Sequence, residues 1–160
     1  MVLTSTLVCL TTCCRSDSAY LRTIDPALAG YIIEFKAEME QRGALPSWAP
    51  LPMAITYGHV PAGYLGVCYL PSNVVIIAEE LRDIEDEYLR KSTIFHELTH
   101  CSALITTHSG DDESIMYHKH VPDSMGGWDA KMDDLAKFIM RHSPIYLLKV
   151  RLETPVDVDY

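Results

Sequence analysis

The sequence predicts an α+β domain. Three short runs rich in β-branched and aromatic residues crowd into positions 53 to 78, and stretches with helical spacing of apolar residues stand before and after them. A strand cluster flanked in the chain by helices is resolved by packing those helices on one sheet. At 160 residues the chain is long enough for one domain that buries a core without disulfides or oligomerisation. That domain is expected over residues 25–150, behind a separate segment at 1–20.

The first segment, "MVLTSTLVCLTTCCRSD", has no charge before Arg15 and is mildly apolar through Cys14. A short apolar stretch followed by small residues reads as an export signal. "LTTC", Leu10 to Cys13, resembles a bacterial lipoprotein box, which would make Cys13 the lipid-anchored residue and the protein exported, either secreted or membrane-anchored. An N-terminal strand or a tail is the alternative.

Asp25-Pro26 reads as a helix start, a capping side chain followed by proline in the first turn. Leu28, Tyr31, Ile32, Phe35 and Met39 follow on one stripe, and Gly43 ends it. "ALPSWAPLP" carries three prolines and is a rigid connection. "MAITY" (53–57), "YLGVCYL" (64–70) and "NVVIIA" (73–78) are the expected strands. After the acidic "EELRDIEDE", a second helix runs from about Glu87 to Leu104 with no proline or glycine inside. Residues 106 to 127 show no period, and a loop of that length in a compact domain serves a function. A third helix is expected from Asp129 to about His142. "YLLKVRLE" (146–153) reads as a final strand or a docked tail.

Composition narrows the function classes. The formal charge of -9 leaves no Lys/Arg cluster to neutralise phosphates, which argues against nucleic acid or an anionic membrane as partner. No run of eighteen apolar residues exists, so no transmembrane helix is expected. Cys9, Cys13 and Cys14 fall in the first segment, leaving Cys68 and Cys101 as the pair in the body. An exported chain would allow one bridge between them, closing a loop of about 34 residues and adding ~3–4 kcal/mol. Two buried thiols are the alternative.

Five of the seven histidines stand between residues 93 and 120, and His96 and His100 flank Glu97 in the pattern H-E-x-x-H. Four apart on a helix, the two imidazoles project from one face with Cβ atoms ~6 Å apart, which suits convergence on one zinc ion. Glu97 is rotated by ~100° from His96, so it sits beside the metal without ligating it. A carboxylate there can take a proton from a zinc-activated water and pass it to a leaving amine.

"HSGDDESIMYH", His108 to His118, resembles the end of the catalytic site of metzincin metallopeptidases, matrixins most closely. The third histidine of that family is followed by a serine and then by a turn of the form S-x-M-Y-P, whose methionine lies under the metal. His108-Ser109 and Ser114-Ile115-Met116-Tyr117 match in order and type. "GYLGVCYL" and "NVVIIA" are similar to the family's antiparallel edge strand and the next strand, and "DAKMDDLAKFIM" falls where it has a closing helix. The resemblance spans roughly residues 50 to 142. It implies a zincin-like domain with a short twisted mixed sheet, an active-site helix, a Met-turn at Met116 and a C-terminal helix. It also implies zinc as cofactor, Glu97 as general base, and a peptide or protein substrate laid along the strand near 64 to 70.

The chain departs from that pattern at Thr99 and Ala103, where matrixins have glycine, and at His118, where they have proline. The usual third-ligand position is Thr106, whose neutral hydroxyl is a poor zinc donor. Ala103 lacks glycine's freedom to take positive φ, so the helix is expected to continue to about Ile105 and the ligand to come later, at His108. His118 and His120 are rivals for that place. Asp111 and Asp112 are expected to hydrogen-bond a ligand ring from outside. Competing readings are a zinc hydrolase whose third ligand is Asp111, Asp112 or Glu113, and a non-catalytic zinc-binding interaction module.

Overall fold

The computed structural model describes residues 23–117 and 127–153. The segment 1–20, with Cys9, Cys13 and Cys14, and the loop histidines His118 and His120 lie outside the described residues. In chain order the elements are β1 (Thr23–Ile24), α1 (Ala29–Gln41), β2 (Ala54–Gly58), β3 (Gly66–Tyr69), β4 (Val74–Ala78), α2 (Glu87–Ala103), α3 (Trp128–His142) and α4 (Pro144–Glu153). The architecture is α+β, with a mixed sheet of order β1-β2-β4-β3.

The three strands read from the sequence form within one or two residues of the expected limits. β2 runs parallel to β4, while β3 folds back antiparallel to β4 at the edge, with Gly66 opposite Ile77 and Cys68 opposite Val75. Asn73 makes the reversal possible: it adopts a left-handed φ of 51°, tolerable for asparagine, and its side-chain amide donates to the Leu51 carbonyl. The two-residue β1, parallel to β2, carries no periodic signal and was not legible.

Apolar residues from one side of β2 and β4 (Ile55, Tyr57, Val75, Ile77) meet α1 and α2 in a single core. Phe35 of α1 and Phe95 of α2 pack edge-to-face at 5.3 Å, and Phe95 packs again on Trp128 of α3 at 5.3 Å. Each buried aromatic of this kind contributes roughly 1.5–3 kcal/mol through removal of apolar area from water. Packing on three sides makes α2 the central helix, and it is the helix that carries H-E-x-x-H. Its N-terminus is capped by Asp86, whose carboxylate accepts from the Leu89 amide at 2.8 Å.

Three expectations need correction. The helix foreseen at Asp25-Pro26 starts at Ala29, because Asp25 accepts from the Ala27 amide at 3.0 Å and closes a separate turn first. α2 does not continue to Ile105. Ala103 stays helical, but Leu104 takes the left-handed conformation at φ 54°, and the amides of Leu104 and Ile105 both donate to the His100 carbonyl. A leucine there costs ~1–2 kcal/mol, which burial of Ile105 offsets. "YLLKVRLE" is the body of α4, not a strand. Ser143 caps it by accepting from the Ile145 and Tyr146 amides at 3.1 and 3.3 Å, with Pro144 in the first turn. The same hydroxyl donates to the Ala103 carbonyl at 2.7 Å, so one serine starts α4 and ends α2.

A disulfide joins Cys68 of β3 to Cys101 of α2, with Cα atoms 5.8 Å apart. No helix among the described residues is long and apolar enough to cross a membrane.

Candidate metal centre

α2 presents His96 and His100 on its face toward β3 and the loop 104–117, and the loop brings back His108. The Nε2 atom of His100 lies 3.1 Å from Nε2 of His96 and 3.2 Å from Nε2 of His108. Among the described residues these three are the group whose ligand atoms converge closely enough to hold a metal ion. His100 is buried, His96 partly so, and His108 exposed.

Hydrogen bonds at the other ring nitrogens settle what those contacts are. Nδ1 of His96 sits 2.7 Å from the Ile115 carbonyl, and Nδ1 of His100 sits 2.6 Å from the Ile105 carbonyl. A carbonyl oxygen can only accept, so each Nδ1 carries the hydrogen. In the neutral ring Nε2 is then a bare lone pair, and the 3.1 Å contact between His96 and His100 sets acceptor against acceptor. Protonation would relieve it, but burial and the neighbouring imidazoles oppose a charge. Burial above all, then His100 and His108, push His96 down to about 4 against the pull of the Ile115 carbonyl. His100 is lowered likewise by burial and by His108, against the Ile105 carbonyl. A cation is the partner that fits three converging ring nitrogens. Two ligands of a tetrahedral ion with ~2.1 Å bonds stand ~3.4 Å apart, close to the separations found. Imidazole donors suit zinc, copper, iron or nickel, so the donor set alone leaves the element open.

Glu97 opens on the same cleft and reaches β3. Its carboxylate is buried and accepts from the Cys68 backbone amide; burial pushes its pKa up to about 7 and the amide bond opposes the rise. Gly66 makes the approach possible, since a Cβ at that position would stand 2.7 Å from Cγ of Glu97. A cleft of about 870 Å³ opens here, bordered by residues 63–68 on one side, by α2 below and by His108, Ile115 and Tyr117 opposite.

The loop 104–117 is irregular yet tightly self-bonded. The Ser109 amide donates to the Met116 carbonyl at 2.8 Å, the Glu113 amide to the Asp111 carboxylate at 3.0 Å, and the Met116 amide to the Ser114 hydroxyl at 3.2 Å. From α3, buried Lys131 donates its ammonium to the Glu113 carbonyl. Ser, Gly and Asp at these positions are turn formers for this reason. Met116 is fully buried, and its neighbour Ile115 orients His96 through its carbonyl.

The structure therefore brings together His96, Glu97, His100 and His108, and joins Cys68 to Cys101. It does not use Asp111 and Asp112 at the His96 and His100 rings, where backbone carbonyls take the expected place; Asp111 builds its own loop instead. Thr106 lines the cleft outside the converging group. Sequence reasoning missed the Ile105 and Ile115 carbonyls, the Gly66 and Cys68 backbone, Lys131, and Tyr117 as a cleft wall. Backbone groups carry no residue-type signal, and only the lone glycine in "YLGVCYL" hinted at a close approach. No protein-family model, curated protein or solved structure matches the chain.

Proposed function

We propose that the protein is a zinc-dependent endopeptidase with a zincin-type, metzincin-like domain. The observation that carries this reading is that a buried Glu97 carboxylate and three converging imidazoles line one cleft. A structural metal site needs four protein ligands and no base; three ligands with an adjoining carboxylate fit a hydrolytic one. His96, His100 and His108 would hold the ion through Nε2. Zinc, when bound, supplies Lewis acidity toward the scissile carbonyl and the attacking water.

The remaining work falls to the chain. β3 is an edge strand bordering the cleft, so an extended peptide can add to it by backbone pairing. Glu97 takes a proton from the attacking water at a carboxylate oxygen and delivers it to the amide nitrogen as the C–N bond breaks. Burial raises the carboxyl's pKa in the metal-free protein, a shift that favours accepting and returning that proton. The Cys68–Cys101 bridge supports an oxidising compartment, in keeping with export.

A quenched-fluorescence peptide library tests the proposal. Cleavage that a chelator abolishes and zinc restores is expected. A protein that binds one zinc per chain yet cleaves no peptide would be a binding module instead.

A further inference from the structure

The Cys68–Cys101 bridge spans the two elements whose separation places Glu97. Glu97 belongs to α2, but its carboxylate is held by β3, through the Cys68 amide and against Gly66. A Cβ at position 66 would meet Cγ of Glu97 at 2.7 Å and its Cδ and Oε1 at 3.3 Å, so strand and side chain are already in contact. Cys68 thus makes two links to α2: its amide to Glu97 and its sulfur to Cys101, one helical turn along. Among the described residues β3 has a neighbour on one side only, and an edge strand is the part of a sheet most free to shift. A helix and an edge strand joined by a covalent bond cannot drift apart without breaking it.

We infer that β3 is the positioning element for Glu97: Gly66 supplies the space, the Cys68 amide orients the carboxylate, and the Cys68–Cys101 bridge holds strand and helix at that separation. The inference deepens the peptidase reading and rests on it for its kinetic consequence, while its structural half stands alone. Its corollary is sensitivity to dithiols. Cys68 lines the cleft and is partly exposed, whereas Cys101 is fully buried. A dithiol reductant would attack the Cys68 sulfur, expel the Cys101 thiolate and close to its own disulfide. Two cysteine thiols remain, and the reductant has given up two electrons and two protons.

The test uses the full chain, C68A/C101A and G66A, each with one zinc per chain confirmed, and two readouts. One is kcat and KM on a cleaved peptide; the other is hydrogen exchange at the amide of residue 68 in the metal-free protein. In both variants kcat should fall about a hundredfold with KM within about twofold, as expected for a misplaced catalytic group. The residue-68 amide should exchange at least ten times faster, while amides in the middle of α2 keep their rates. Dithiol treatment of the wild type should reproduce the C68A/C101A values, and reoxidation should restore them. Wild-type exchange at residue 68 in C68A/C101A, or kcat within threefold of wild type, overturns the inference. If C68A/C101A does not fold, G66A decides by the same readouts. If the wild type cleaves no peptide, the peptidase reading fails, and the exchange measurement still decides the positioning claim.

Discussion

His100 and His108 approach within 3.2 Å of each other, yet the two sides of the site are held by different physics. His96, Glu97 and His100 ride on α2, which is capped at Asp86, packed between sheet and helices, and bridged to β3. His108 is exposed and sits on a loop without repeating structure, kept in shape by turn hydrogen bonds, one buried lysine and the buried side chains of Ile105, Ile115 and Met116. The helix side is rigid because the core of the domain depends on it. The loop side is placed by three buried apolar residues, Ile105, Ile115 and Met116, and by a handful of polar contacts each worth ~0.5–1.5 kcal/mol, with His108 itself outside the core. One side should therefore couple metal binding to global stability, and the other should affect the metal alone.

The largest expected effect comes from the helix side. Replacing Glu97 with Gln should lower kcat by about a thousandfold, with zinc still at one ion per chain by atomic absorption. Activity within tenfold of wild type would remove Glu97 as the base.

The proposed ligands sharpen the contrast. H108A should weaken zinc by well over the ~100-fold that loss of an outer hydrogen-bond partner costs, while the melting temperature of the metal-free protein stays within a degree or two. H100A should lose zinc as well and also cost the metal-free fold ~2–3 kcal/mol, because it opens a buried space and orphans the Ile105 carbonyl. Equal destabilisation by the two variants, measured by urea titration, would erase the distinction between the sides.

K131M breaks the loop from a distance. Removing the ammonium that the Glu113 carbonyl accepts should cost ~1–2 kcal/mol and weaken zinc by roughly tenfold through a displaced His108. Exchange rates along α2 should not change. If α2 loosens in step with the loop, the two sides are one cooperative unit.

The smallest effect belongs to Met116. M116L nearly conserves volume at a fully buried position, so it should cost under ~1.5 kcal/mol and leave zinc bound. Stoichiometric loss of zinc in that variant would make the thioether a ligand rather than packing.

Residue type and period determined the parts of this protein whose physics is local. The stripes of α1, α2 and α3, the strands between residues 53 and 78, and the four-residue step that puts His96 and His100 on one face all follow from sequence. Tertiary structure decided everything that depends on backbone groups arriving from far along the chain. The helix exit is one case: Ala103 argued for continuation, but burial of Ile105 made a left-handed Leu104 tolerable. α4 is another, because "YLLKVRLE" carries an ambiguous pattern and only Ser143, docked on the Ala103 carbonyl, selects the helix. At the site, the rings of His96 and His100 are oriented by backbone carbonyls and not by Asp111 or Asp112, for the same reason. A carboxylate is visible as a letter in the sequence, whereas the Ile105 and Ile115 carbonyls that do the orienting belong to every residue alike, and only the folded path of the loop aims them at an imidazole.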